Sequence, residues 1–384
     1  MRCVTMFRFL TAGESHGQCL TAIVEGMPAG LTIDVDEINK DMARRQQGYG
    51  RGGRMLIETD KMEILSGVRF GETMGDPVTV KIANKDWENW TGRMSVSGKP
   101  EGAVVTAARP GHADLTGIKK YDRKDIRDIL ERSSARETAA RVAVGGLAKQ
   151  LLKACGIKIV SQVTNIGGIP IDEANTAYDT WGENPSELNC YDAIAEEKMK
   201  EKIRQAKTDG DTLGGIFEIA VLGVMPGLGS HIQWDRRLDA RLSGALMSIQ
   251  AIKGVEIGAG FEYANLPGSL AHDEIFLDEL QHVYRKTNHA GGIEGGMSNG
   301  EAIVVRAVMK PIPTLMKPLR SIDIKSKEAV LACKERSDVC AVSAASVVGE
   351  AMTAIVVAQA LLEKFGGDSV GDLKAAIAHY QKRI

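Results

Sequence analysis

Apolar residues recur along this chain in two rhythms, and the rhythms predict its elements. Short alternating or continuous apolar runs predict strands at residues 7–12, 20–25, 77–83, 157–163, 216–224, 255–261 and 302–308. Residues 34–46 predict a short helix, with Asp34 at its start and Ile38 and Met42 four apart on one face. A much longer helix is expected from Asp122 to Cys155, where Gly156 stops it; Ile126, Ile129, Leu130, Val142, Val144, Leu147, Leu151 and Leu152 give it helical periodicity. Another is expected from Asp235 to about Ile252. Residues 344–365 are apolar around most of the helical circumference, which implies burial in a core. Gly366 and Gly367 end that helix, and residues 370–381 predict a last amphipathic one. Residues 168–200 are polar and rich in turn formers, so a surface excursion is expected there. Strands and helices do not strictly alternate, and long helices are numerous. That pattern fits an α+β fold, with sheets packed on long helices, better than a doubly wound one.

Composition narrows the class. The chain has 384 residues, enough for two or three average domains or one large one. No fixed-period repeat and no long Pro/Ser-rich linker divides it. With 43% hydrophobic and 26% charged residues, extensive disorder is excluded. A net charge of −2 argues against an obligate nucleic-acid or membrane-surface protein, though not against a local basic patch. Glycine is the outlier: 42 of 384 residues, about 11% against a usual ~7%. That excess points to many tight turns or close backbone approaches to a ligand. Six scattered cysteines without CxxC, and seven histidines without HExxH, leave no metal-ligand pattern. Arg8 interrupts the apolar start, and no uninterrupted apolar run reaches the ~18 residues of a membrane span. A cytoplasmic protein with reduced thiols is expected.

Five clusters could carry chemistry. Glycines flank His16 in the segment Gly13-Glu14-Ser15-His16-Gly17, so its imidazole can face a ligand and donate a proton to a leaving group; the alternative is a plain turn between strands. Residues 44–54 hold Arg44, Arg45, Arg51 and Arg54 among glycines, a cationic loop suited to carboxylates and phosphates. Tyr49 in that loop keeps RNA binding open as a rival, alongside a merely solvated charge run. Arg109, Gly111 and His112 repeat the pairing of a histidine with glycine and arginine, which suggests an acid–base pair with His16.

Within the expected long helix, Arg132 and Arg136 share a face four residues apart, and Glu137 can pair with Arg141. Ser133, Ser134 and Ala135 stand where leucines are ordinary, leaving room for a helix or a flat ring to approach. Buried arginines there need an anionic partner. The fifth cluster is the C-terminal pair of segments: Lys310 to Thr314 forms a stiff cationic turn, and Asp338 precedes the apolar helix, where capping alone could justify it. The segment 290–297 matches neither a dinucleotide fingerprint nor a P-loop. Many cations, two histidines and one acid bound the substrate as a polyanion and the chemistry as proton transfer or phosphate departure. Another phosphate-eliminating enzyme and an RNA-binding protein acting through residues 44–54 stand as alternatives.

The same residues resemble the chorismate synthase family. The resemblance is carried by GESHG at 13–17, RRQQGYGRGGRM at 44–55, RPGHADL at 109–115, ERSSARETAARVAVG at 131–145 and DGDTLGG at 209–215. It continues through GLGSHIQWDRRLDARL at 227–242, GGIEGGMSNG at 291–300, VMKPIPTL at 308–315 and ERSDVCAV at 335–342, in the family's order. It implies one domain over residues 1–384, a sandwich of sheets around long central helices, assembled as a homotetramer. It also implies conversion of 5-enolpyruvylshikimate-3-phosphate to chorismate by 1,4-anti elimination of phosphate, the last common step of the shikimate pathway. Reduced FMN is required although the reaction is redox-neutral. No nucleic-acid or membrane partner is implied.

The resemblance also assigns residues. His16 would protonate the departing phosphate, His112 would sit by the flavin as a proton donor, and Asp338 would assist removal of the C6 hydrogen. Arg45, Arg51, Arg109, Arg136 and Arg336 would clamp the phosphate and two carboxylates. The flavin would rest against Arg132, Ser133, Ser134, Gln250, Ala251, Gly295, Lys310, Pro311, Ile312, Pro313, Thr314 and Arg336. Arg45 and Arg51 also match positions proposed for NADP contact, relevant only if the enzyme reduces its own flavin from NADPH; an external source of reduced flavin is the expectation. Two positions depart from the family pattern: Ser343 replaces a usual proline and could cap the following helix, and Gln250 replaces a frequent asparagine.

Overall fold

Alternation of buried and exposed positions organises the sheets. In a computed structural model that describes residues 7–52, 58–99, 101–172, 177–181, 186–335 and 337–384, the first sheet is antiparallel. It comprises β1 (Arg8–Ala12), β2 (Cys19–Glu25), β3 (Glu63–Ser66) and β4 (Val78–Ala83), in the order β1-β2-β4-β3. Leu20, Ala22 and Val24 of β2 and Val78, Val80 and Ile82 of β4 are buried at every second position, so one face is apolar. The second sheet holds β5 (Lys158–Ile166), β6 (Ile169–Pro170), β7 (Gly215–Leu222), β8 (Ile252–Ile257) and β9 (Ile303–Met309), in the order β8-β9-β7-β5-β6. It too is antiparallel, with Phe217 opposite Ala307 and Ile219 opposite Val305.

Two helices fill the space between the sheets. α4 (Thr138–Ala154) packs on β2 and β4, α7 (Val342–Phe365) packs on β5 and β7, and the two helices lie against each other. This is the expected α+β sandwich of sheets around central helices. Gly145 of α4 sets the closeness of the helix pair, because a Cβ there would stand 2.3 Å from the Ala351 Cβ. α1 (Val35–Gln46), capped by Asp34, lies across both helices and presents its C-terminal end to the cavity described below. α7 is long and apolar enough to cross a membrane by length and composition, yet 89% of its most apolar window is buried inside this core. The apolar cluster is contiguous from Phe7 to Ile377 on α8 (Val370–Gln381).

Several expectations need correction. The helix expected from Asp122 to Cys155 is broken. α3 (Arg127–Ser133) ends at Ser134, whose backbone is extended and whose hydroxyl accepts from Arg136 N; a single 3-10 turn then leads into α4. Serine offers its own hydrogen bond to the backbone in place of a helical one, and it does so here. Arg132 and Arg136 therefore do not share a helix face, whereas Glu137 and Arg141 do pair, at 2.9 Å. The helix expected over 235–252 is shorter, α6 (Leu238–Met247), and the strand expected at 255–261 runs earlier, from Ile252 to Ile257. Residues 168–200 are not simply a surface excursion: Trp181, Leu188 and Cys190 are buried, and α5 (Ala193–Asp209) begins within them. Ser343 lies inside the first turn of α7 and does not cap it. The five described cysteines are free thiols.

One polar group sits deep in the apolar sandwich. Glu350 of α7 accepts from Arg44 of α1 at 2.8 Å, from the Ser161 hydroxyl of β5 at 2.6 Å, and from Lys149 of α4. Burial alone would raise its pKa, but the Arg44 and Lys149 charges lower it from the ordinary 4.5 to about 2. A depressed carboxyl stabilises the fold above its unfolded pKa and loses that contribution as pH falls through the folded value. Glu350→Gln leaves Arg44 and Lys149 with Asp41 as their one carboxylate among the described residues, and should cost about 3 kcal/mol near neutrality. In urea titrations the gap to wild type should close as pH falls from 4.5 towards about 2. A gap independent of pH would mean that the charge is not what matters. Gly145→Ala should lower stability by about 1–3 kcal/mol through overpacking, read in the same titrations.

Candidate active site

The site is assembled where the first sheet, the break between α3 and α4, and the segments after β9 and before α7 meet. They enclose a cavity of about 480 Å³, within the roughly 300–1,000 Å³ usual for small-molecule sites. His16, His112 and Asp338 all line it. So do Arg45, Arg51, Arg109 and Arg136, with Ser133, Ser134, Gln250, Ala251, Lys310, Ile312, Pro313 and Thr314.

His16 sits in the turn between β1 and β2. Gly13 is at φ +107°, and a Cβ there would meet the Cys19 carbonyl at 2.3 Å, so the turn requires glycine. Asn84, following β4, donates to the carbonyls of Glu14 and Gly17 at 3.1 and 2.7 Å and locks the turn from beneath. The Ser15 hydroxyl meets that of Ser134 at 3.1 Å.

Two of the lining arginines share one buried acid. Arg45, at the end of α1, donates to Asp60 Oδ2 at 2.6 Å, and Arg136 donates to Asp60 Oδ1. All three are buried. Arg136 also donates to Asn84 Oδ1 at 2.9 Å and lies 3.6 Å from Glu58. Burial would raise the Asp60 pKa, but the two guanidiniums hold it below the ordinary carboxylate value. Burial and the neighbouring Arg136 charge lower Arg45, with Asp60 opposing them. Arg44 is also turned inward, to Glu350. Arg44, Arg45 and Arg51 thus all have carboxylate partners within the chain, rather than forming a merely solvated charge run. Arg54 lies outside the described residues.

The second histidine has its own frame. Asp114, the first residue of α2 (Asp114–Tyr121), is completely buried. It accepts from Arg109 Nε at 2.8 Å, from Arg109 Nη2 at 3.0 Å and from Arg109 N at 3.0 Å, and it contacts His112 Nδ1. Burial opposes ionisation, yet the hydrogen bonds from His112 and Arg109 hold Asp114 well below the usual carboxylate range. Arg109 also donates to the Thr314 hydroxyl at 3.2 Å, and Lys310 reaches the Gly111 carbonyl, so two distant segments close one wall.

Asp338 accepts from Gly52 N at 2.6 Å and pairs with Arg51 at 3.2 Å. It lies four residues before α7 and makes no cap, so capping does not account for it. The lining also includes apolar groups: Ala341 just before α7, Ala344, Ala345 and Val348 within it, and Ile249 and Met309. Gln250 donates to Glu137 at 3.2 Å, while its buried Oε1 has no partner among the described residues. Ala251 takes a positive φ of 67°, and its carbonyl accepts from Lys310 N at 2.9 Å.

Three expected residues do not line this cavity. Arg132 is exposed, bonds the Thr11 and Gly13 carbonyls, and borders a second hollow outside β1. Gly295 is exposed at a hairpin turn, and Pro311 is exposed beside the lining residues Lys310 and Ile312. Arg336 lies outside the described residues. Sequence reasoning missed Asp60, Asn84, Trp90, Glu131 and the role of Asp114. Asp114 had a signal, two residues from His112, and Glu131 had one in its four-residue spacing from Arg127. Asp60 had none. Asp60→Asn should cost about 3–5 kcal/mol, because two buried guanidiniums lose their shared charge; unfolding at wild-type denaturant concentration would contradict the pairing.

Residues 7–362 match the family model for chorismate synthase. A chorismate synthase of Pelobacter propionicus is 57% identical over 99% of this chain and 99% of its own. That of Desulforamulus reducens is 59% identical, again over 99% of both. A crystal structure of chorismate synthase superposes with a TM-score of 0.78 at 45% identity, covering 99% of this chain and 98% of the other.

Proposed function

We infer that the cavity converts 5-enolpyruvylshikimate-3-phosphate to chorismate by 1,4-anti elimination of phosphate, on the premise that the chain belongs to the chorismate synthase family. The reaction makes it a carbon–oxygen lyase of the shikimate pathway. One observation supports the site reading above the others: two histidines, one acid and four arginines, far apart in sequence, face a single cavity of about 480 Å³.

Arg45, Arg51, Arg109 and Arg136, with Arg336 outside the described residues, would bind the substrate's phosphate and two carboxylates. Each of the four described arginines is held by a carboxylate, Arg45, Arg109 and Arg136 by acids that do not line the cavity and Arg51 by Asp338 in its wall, so their remaining donors are fixed in place before substrate arrives. His16 would give a proton to the departing phosphate. Asp338, aligned by Gly52 N and Arg51, would accept the proton lost from C6. The small apolar face of α7, flanked by Ser133, Ser134 and Lys310, fits a flat ring, and the unpartnered Gln250 Oε1 supplies an acceptor at its edge. Ala251, Ile312, Pro313 and Thr314 would complete that cradle, with His112 holding a proton beside the ring. Reduced FMN, held by these residues, would supply electron density for the elimination that no side chain can. Arg132, Gly295 and Pro311 keep their family assignment to the flavin only as part of this proposal, as do the homotetramer, a cytoplasmic setting and reduction of the flavin by an external source rather than by NADPH on the enzyme itself.

Anaerobic turnover with dithionite-reduced FMN, followed by the ultraviolet absorbance of chorismate, tests the function. Chorismate should form, and aerobic incubation with NADPH and FMN alone should give none. Phosphate release without chorismate would instead indicate another elimination. His16→Ala and His112→Ala should each lower kcat by about 10²–10⁴ while flavin binding persists. Wild-type turnover in either would remove that histidine's role.

A further inference from the structure

We propose that Glu131 is the positioning residue of His16, fixing Nε2 as the nitrogen that exchanges a proton with the departing phosphate; this rests on the function inferred above. Glu131 sits in α3 with a side chain only 3% exposed. It grips the His16 turn at several atoms. Its carbonyl accepts from Ser15 N at 3.0 Å, and its Oε2 accepts from His16 N at 2.8 Å. Both carboxylate oxygens lie 3.0–3.1 Å from His16 Nδ1.

The tautomer follows from the acceptor. An ionised carboxylate can only accept, so the ring nitrogen facing it must carry hydrogen. Burial alone would favour the protonated acid, but the hydrogen bonds and charge of His16 and a bond from Arg127 at 2.8 Å keep Glu131 below its ordinary pKa. Nδ1 therefore holds its hydrogen whether the ring is neutral or charged. The proton that comes and goes is on Nε2, which has no protein partner among the described residues, on a side chain that lines the cavity.

A flipped ring would lose the Nδ1 contacts to Glu131, and Trp90 holds the plane in which they form. Its indole stacks on the imidazole with centroids 3.9 Å apart and planes at 30°. The indole is itself held by Nε1 donating to Asp86 at 3.1 Å and by the Arg127 guanidinium 4.9 Å from its centroid. Arg93 lies 5.7 Å from the same ring, and Glu335 lies 3.7 Å beyond Arg127. Glu131 fixes the hydrogen and Trp90 fixes the plane. A buried carboxylate, a histidine and a reacting oxygen in sequence is an arrangement found in unrelated acid–base sites.

The test is the ¹⁵N spectrum of histidine-labelled, FMN-loaded full-length protein, with His16→Gln identifying the His16 signals. Neutral wild-type His16 should carry its hydrogen on Nδ1. Glu131→Gln can donate to Nδ1, so the hydrogen should move to Nε2. Its kcat should fall about 10²–10⁴-fold with KM for substrate and flavin binding little changed, and Glu131→Asp, which keeps the charge, should recover part of the loss. A hydrogen on Nε2 in the neutral wild type overturns the proposal without any variant. So does wild-type turnover in Glu131→Gln. If the wild type makes no chorismate, the functional reading fails and the phosphate half with it, while the spectrum alone still decides the tautomer.

Discussion

A carboxylate shared by two arginines sets the terms for the rest of this site. Arg45 and Arg136 are both nearly inaccessible to water, and two guanidiniums cannot be brought together in a low-dielectric interior unless an anion stands between them. Asp60 is that anion, one oxygen to each. The demand then passes outward to the fold. Arg45 must come from the end of α1, Arg136 from the turn before α4, and Asp60 from the approach to β3, so helix and sheet positions are fixed together. Asn84 extends the constraint by holding Arg136 on one side and the His16 turn on the other.

The central helix pair makes that placement rigid. Gly145 lets α4 approach the Ala351 backbone of α7, and Gly349 lets α7 approach Phe217, where a Cβ would stand 2.7 Å from the ring. Only small residues permit such spacing, and the same economy of volume continues to the start of α7, where Ala341, Ala344 and Ala345 line the cavity. Glu350 ties α1, α4 and β5 to α7 at the centre of the sandwich. Its direct partner Arg44 is the residue next to Arg45. The charge cluster of the core and that of the cavity are thus joined through a single peptide of α1.

Strands and the apolar helix were legible because burial at every second position, or all around, leaves a local record. The break at Ser134 was harder to read, since the apolar rhythm on either side continues through it and only the serine hydroxyl distinguishes a kink from a turn of helix. α5 escaped because its buried positions, Ala195, Met199, Ile203 and Ala206, are few among lysines and glutamates. The cations of the site were also legible, since histidines beside glycine and arginines in clusters are locally unusual. Of their carboxylate partners, Asp338 was legible before the apolar helix and Asp114 had a signal beside His112, but Asp60 was not. Asp60 is fifteen residues from Arg45 and seventy-six from Arg136, and nothing in the residues around it distinguishes a buried acid from a surface one.

That asymmetry has a physical content. The cavity looks strongly cationic when only its lining motifs are read, but Arg45 and Arg136 share Asp60 and Arg109 pairs with Asp114, neither acid lining the cavity, while Arg51 pairs with Asp338 in its wall. A polyanion would therefore meet oriented N–H donors rather than a large unbalanced charge. Fixed dipoles in a dry site stabilise developing negative charge without reorganising when it appears, whereas unpaired arginines would repel one another in the empty cavity and close around any stray anion. These paired acids, Asp60 hidden in the local sequence and Asp338 visible in it, are what allow several arginines to converge on one small volume and remain aimed at it.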